Sequence, residues 1–229
     1  MRRYEVAVLS PSGDADTFTR VAPAAPAFEA AFTAFGRGTV FATDRGPVAV
    51  EDLWPGDRLR TGRDSFETLL WKGSTMIVAD MPDQSPNMDS VIRVAADALG
   101  LAKPQNDLVL GPYARVLHHA PAVERITGDP AAFVPIRDFL DGDAITEIRP
   151  PTPVRVFHLA LERHTRLLAN GVEVESFHPG DAFSLGLRGP SLELFLSLFP
   201  HLESLEEFGP MGAPRLRLSD LSTGRAALA

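Results

Sequence analysis

Apolar and polar residues exchange places in short runs along most of this chain, and Gly, Pro, Asn and Asp interrupt the runs before they reach helical length. Residues 4–9, Tyr-Glu-Val-Ala-Val-Leu, read as a first strand, and residues 10–26, with Ser, Gly, Asp, Pro and Ala, as a loop. Pro26 to Phe35 reads as a short helix, with Pro in its first turn and Phe28, Ala31 and Phe32 on one face. From Gly38 to Trp71 the apolar positions Val40, Ala42, Val48, Val50, Leu53, Leu59, Leu69 and Trp71 fall in strand-like pieces. Turns at residues 44–46, 54–57 and 61–64 separate those pieces. Residues 81–89 read as an exposed loop, and 91–94, 145–148 and 154–161 as strands. Ile136 to Phe139 is a short hydrophobic element. Residues 165–177 form a hairpin turning at Asn170-Gly171, the strongest short hairpin signal a sequence offers.

The character changes once. Leu192, Phe195, Leu196 and Phe199 recur at helical spacing, with Ser191 as N-cap and Pro200 as stop. The Phe195 and Phe199 stripe fits core packing or a docking helix better than a cofactor box. Gly209 to Ala229 reads as a tail with at most a short helix. There is no repeat of solenoid or propeller period. The expected class is mainly β.

Composition sharpens this only in places. With 45% hydrophobic residues the chain can build a sizeable core, and 20 Pro with 18 Gly suit a turn-rich β architecture. A net charge of −8 argues against a nucleic-acid or anionic-membrane surface. The absence of cysteine removes disulfides, thiolate metal sites and thiol chemistry. Neither a signal-peptide h-region nor a membrane-length apolar run is evident, so a soluble protein is expected, with the compartment open. His118 and His119 are adjacent, but a third ligand at a recognisable spacing is lacking, and surface histidines are the better reading. No metal or cofactor is expected.

Residues 38–61 read G-T-x-[VI]-x-T-x-x-G-x-x-x-[VI]-E-D-L-x-x-G-D-x-[VL]-x-T. That pattern resembles the opening of the Hint module of hedgehog autoprocessing domains and inteins, and is most similar to bacterial Hint-domain proteins. Two further blocks follow in the same order. Residues 97–100 and 106–117 resemble the A-L-G…D-L-x-[VL]-S-P-x-H-R-x-L segment, and residues 156–177 resemble the closing hairpin with its A-N-G and E-S-[FY] signatures. The likeness covers roughly residues 34–180. It implies a Hint-type β fold, with a segment 1–33 before it and a helix and tail over 181–229.

The resemblance also implies a chemistry. In the module a Cys, more rarely a Ser, stands just before the first aromatic of the motif. It attacks the carbonyl upstream, converting an amide to a more reactive ester. A Thr and His pair of the second block polarises the amide and protonates its leaving nitrogen, and a donor stabilises the oxyanion. Here the nucleophile's place holds Ala34. Thr33, one residue away, carries a hydroxyl, but reads better as an exposed or capping residue. The places of Ser and His in S-P-x-H-R hold Gly111 and Ala114, while Pro112 and Arg115 remain. His158 and His164 fall on the two histidines of the closing pattern. His164 is either the remaining acid/base group or a scaffold residue, the latter favoured, and is expected near Ala34 and Ala114. Glu51, Asp52 and Asp57 lie close together in the E-D-L-x-x-G-D loop, where fixing turns is a better role than acid–base work.

The expectation is therefore a Hint domain with a degenerate site at Ala34, Ala114, His158 and His164, inactive in self-cleavage and kept as a scaffold or interaction module. Residual cleavage near Ala34, and ligand or protein binding in the old cleft, are the alternatives. A partner would be another protein or the chain's own N-terminal segment.

Overall fold

A computed structural model describes residues 1–62 and 65–223 of the chain. The turn expected at 61–64 and the tail expected at 209–229 thus lie partly outside the described residues. The N-terminal third contains β1 (Arg2–Leu9), β2 (Ala15–Ala22), α1 (Pro26–Ala30), β3 (Phe35–Gly36), β4 (Val40–Thr43), β5 (Gly46–Ala49), β6 (Arg58–Arg60) and β7 (Phe66–Ile77). The middle adds β8 (Val91–Val94), β9 (Leu108–Leu110), β10 (Arg115–His119), α2 (Pro121–Thr127), β11 (Ala131–Pro135) and β12 (Ile145–Ile148). Then come β13 (Val154–Leu161), β14 (Arg166–Ala169), β15 (Val172–Glu175), α3 (Ala182–Leu185), α4 (Pro190–Leu196) and α5 (Leu218–Thr223).

The strands run antiparallel in one path, β11-β10-β15-β14-β4-β6-β7-β13-β3-β9-β8-β12, with β5 on β4 and the β1–β2 hairpin on β7. β7 joins the two halves. Its first residues pair with β6, and Leu69–Ile77 pair with β13, with a register irregularity at Ala160/Leu161. The opening block and the closing hairpin meet where Ala169 pairs with Phe41 and the Asn170 Oδ1 accepts from the Val40 N–H at 2.7 Å. Asn170 and Gly171 both take positive φ, 49° and 87°, as a two-residue primed turn requires.

Two cores result. The larger lies within the sheet and includes Phe35, Phe41, Leu53, Leu59, Leu110, Leu159, Leu167 and Val174. The second is aromatic and gathers residues from the whole chain. Tyr4, Phe28 and Phe32 from the N-terminal segment meet Trp71 and Phe177 of the sheet and Phe195, Phe199 and Phe208 near the C-terminus. Phe199 stacks on Trp71 at 4.6 Å between centroids, and the Trp71 indole N–H donates to the Leu198 carbonyl at 2.7 Å. The stretch after 209 is also fastened to the body. Leu216 is buried against Val123 and Ala132, and the Phe133 N–H donates to the Pro214 carbonyl.

Several local expectations are corrected. Residues 15–22 form a strand, not part of a loop, paired along its length with β1. The 81–89 loop ends in a 3₁₀ turn that buries Met88 completely. α1 stops at Ala30, so residues 31–34 are free to turn into the sheet. The N-cap of α4 is Gly189, not Ser191, because Pro190 occupies the first helical position.

Candidate functional site

The peptide bond between Thr33 and Ala34 lies inside the protein, in the turn that carries the chain from α1 into β3. Of the two roles expected for Thr33, exposed or capping, exposure does not hold: it is fully buried, and its hydroxyl donates to the Glu29 carbonyl at 2.8 Å. That bond holds the hydroxyl on the helix end. Ala34 is also buried, and its N–H donates to the Phe157 carbonyl at 2.9 Å. The loop from Gly111 to Ala114 wraps the other side. The Tyr113 N–H donates to the Thr33 carbonyl at 3.2 Å, and the Gly111 N–H to the Ala34 carbonyl at 2.9 Å. Ala114, also buried, donates its own N–H to the Gly111 carbonyl at 3.2 Å. The fold thus brings positions 33, 34, 111 and 114 together. The main-chain donor on the Thr33 carbonyl sits where a tetrahedral oxyanion would form during attack at that carbon. The side chains around it supply neither an attacking atom at 34 nor a proton donor at 114.

Gly111 has a specific steric role. A Cβ built there would lie 2.2 Å from the Thr33 carbonyl oxygen and 2.6 Å from its carbon. The 33–34 peptide therefore fills the space that a side chain at 111 would need. Replacing Gly111 with Ser is expected to destabilise the fold by about 1–3 kcal/mol, since backbone must move to admit it. Urea unfolding measures this, and a midpoint equal to that of the parent would refute the steric reading.

The two histidines of the closing hairpin go to different places. In β13, Phe157 pairs with Phe35 and Val156 with Gly36, and the Phe157 carbonyl also takes the Ala34 N–H. The His158 ring packs at 5.3 Å from Phe35 and 5.2 Å from Phe177. Its Nδ1 accepts the Leu159 N–H at 3.1 Å. Burial among these rings pushes its pKa down to about 3. A histidine that resists protonation in this way is a poor proton store near neutral pH.

His164 belongs to a separate cluster. Its Nδ1 accepts the Gly212 N–H at 2.9 Å, and its Nε2 meets Glu175 Oε1 at 3.1 Å. With Nδ1 accepting, Nε2 is the nitrogen that donates to the carboxylate. Its ring lies against Phe133 and His178. Glu175 is 2% exposed and also accepts from Arg215 Nε at 2.7 Å and Arg115 Nη1 at 3.2 Å. Burial raises a carboxyl pKa, but Arg215, His164 and Arg115 overcome that and hold Glu175 well below the usual carboxylate range. Arg215 in turn donates to the His178 carbonyl at 2.7 Å. His164 is thereby committed to linking β14, β15 and the C-terminal segment. Of the two histidines, the one that packs against Phe35 is His158.

The remaining candidates are structural. Asp57 accepts the Trp54 N–H at 2.8 Å and pairs with Arg45, and Glu51 accepts the Gly38 N–H at 2.9 Å, so both hold turns. His118 packs on Phe139, and the exposed His119 reaches Glu173. Among the described residues there is no group of three or more His, Asp or Glu placed to hold a metal. Lys72 went unnoticed in the sequence. It is buried, and its ammonium donates to the carbonyls of Glu51 and Leu53 beneath the Trp54 and Phe157 rings. Its only sequence signal is a position inside an alternating strand.

The architecture and the position of this site define an antiparallel module in which three sequence blocks converge on one buried peptide. Residues 33–181, more than half of the chain, match the Hint domain family, and the chain belongs to it. No curated protein sequence matches. Among solved structures, the bacterial intein-like domain from Clostridium thermocellum is similar at 12% identity and a TM-score of 0.44, over 63% of this chain and 99% of that one. The AceL NrdHF class 3 split intein is similar at 11% identity and a TM-score of 0.43, over 63% and 97% respectively. The gp41-1 intein is similar at 7% identity and a TM-score of 0.38, over 63% and 98%.

Proposed function

We propose that this chain is a Hint domain that no longer cuts or splices itself and serves as a folded scaffold or interaction module. The observation that carries this reading is the Thr33–Ala34 peptide. It is buried against Gly111, with a methyl group at the nucleophile's position and another at the position of the acid. Losing nucleophile and acid together removes the functional unit, and an oxyanion donor alone does not restore it. The position of the N-terminal segment supports the same conclusion. Tyr4, Phe28 and Phe32 belong to the aromatic core, so releasing residues 1–33 would expose that core to water. Ala34 is 1% exposed and Ala114 0%, which favours a filled site over a cleft kept open for a ligand.

The test is the intact mass of the purified chain over days at neutral pH, with and without thiol. A single species of 24.8 kDa is expected throughout. A fragment lacking the first 33 residues, growing with time, would overturn the proposal in favour of residual cleavage.

A further inference from the structure

Among the described residues the sheet has four outer strands, β11 and β12 at the ends of the path and β2 and β5 off it, and three of them are protected. β5 and β12 are four residues long, and β5 contains Pro47. β11 ends at Pro135, and its free side is bridged by Arg215. β2 differs. It has eight residues, it contains neither Pro, Gly nor Lys, and it pairs only with β1 among the described residues. Its register against β1 runs without a bulge from Ala15 to Ala22. Long edges with regular pairing and without Pro or a bulge are the ones that accept another strand.

The sequence of this edge is centred on Phe18, with the same residue next to it on both sides and opposite charges beyond. Phe18 is flanked on each side by Thr, at 17 and 19, and then by Asp16 on one side and Arg20 on the other. We propose that the chain forms a two-fold dimer in which β2 pairs antiparallel with β2 of a second copy, centred on Phe18. In that register Asp16 faces Arg20 of the second copy and Arg20 faces its Asp16. Thr17 faces Thr19, and Phe18 faces Phe18. A slip of one residue in either direction places Asp16 opposite Thr19 or Val21 and leaves the charges unpaired, so the register is specified. Asp16, Phe18 and Arg20 share one face of the strand by alternation. In the single chain the Arg20 guanidinium already lies 5.8 Å over the Phe18 ring, within reach of an opposing carboxylate. The other face offers Thr17, Thr19 and Val21, with Val21 58% exposed. Such an interface is isologous and closes at two copies. A second copy of the same chain is the occupant whose charges this pattern matches.

Sedimentation equilibrium on the full chain across the micromolar range tests this. The wild type is expected to show a concentration-dependent monomer–dimer equilibrium. Asp16→Arg and Arg20→Asp each place like charges opposite one another at both ends of the pair. Each should weaken dimerisation by about tenfold or more. The double variant restores opposition with the signs exchanged, and dimerisation should return. Both side chains are exposed, and thermal melts of each variant monitor the fold. A wild type that stays monomeric overturns the proposal and leaves the edge to an extended segment of another protein. A dimer unaffected by the single swaps, or not recovered in the double, places the interface elsewhere and overturns it as well.

Discussion

Replacing Glu175 with alanine is expected to lower the unfolding free energy by about 3–5 kcal/mol, the range seen when one partner of a buried charge cluster is removed. This carboxylate is the meeting point of four segments: β10 through Arg115, the turn before β14 through His164, its own strand β15, and the C-terminal segment through Arg215. Burial already disfavours the charge on Arg115, and Glu175 is what offsets that cost. Without it, two guanidinium groups remain in a region built around a negative charge. The melting temperature should fall by about 6–20 °C for a chain of this size. Glu175→Gln keeps the shape and one acceptor oxygen, so its loss should be smaller but in the same direction. Calorimetry on the two variants decides the matter. An alanine variant as stable as the parent would show that the cluster contributes no net stability. Arg215→Ala separates the two halves of the effect, because it removes the side-chain tie of the C-terminal segment while leaving Arg115 and His164 on the carboxylate.

The framework of this protein was legible because the relevant signals are local. The strands at 91–94, 145–148 and 154–161 coincide with the observed elements, and the Asn170-Gly171 turn is where the two αL residues were needed. The convergence of Ala34, Gly111 and Ala114 followed from motif order, since the module brings its blocks together whatever side chains they carry. What escaped was long-range. β2 was hidden because its alternation runs through Thr and Arg with a single large apolar residue, Phe18, and its pairing energy comes from β1. Arg215 lies 40 positions beyond Glu175 in a stretch without periodicity, so nothing local marks it as a core cation. Lys72 resembles any strand lysine until the loop carbonyls it caps are in place. The different surroundings of His158 and His164 have the same origin. Both match the family pattern equally well, and only the partners, Phe35 for one and Glu175 with Gly212 for the other, separate them.

Acid should unfold this protein well before its carboxylates are exhausted. Burial pushes the pKa of His158 down to about 3, and those of His178 and His201 to about 4. In the unfolded chain each titrates near ~6.5. Between those limits the unfolded state binds protons that the folded state refuses, so stability increases with pH and is lost on acidification. Each such group contributes a slope of about 1.4 kcal/mol per pH unit, and three together reach about 4 kcal/mol per unit between roughly pH 6 and 4. Glu175, held well below the usual carboxylate range, adds to the loss once the pH falls below the ordinary carboxyl value. Glu29 opposes it. That side chain is fully buried, and burial raises its pKa, so the folded state gains a proton there first. One carboxyl offsets only part of three imidazoles. Urea midpoints measured from pH 7.5 down to 4.5 should therefore fall steeply below about pH 6, where His158, His178 and His201 take up protons in the unfolded chain. His178→Asn should flatten the profile by roughly one third of its slope, because one of three comparable titrations is removed. A midpoint that stays constant between pH 7 and 5 would mean that the rings are hydrated enough to protonate in place. The burial of His158 between Phe35 and Phe177 argues against that outcome, since a charged ring there would be stripped of water.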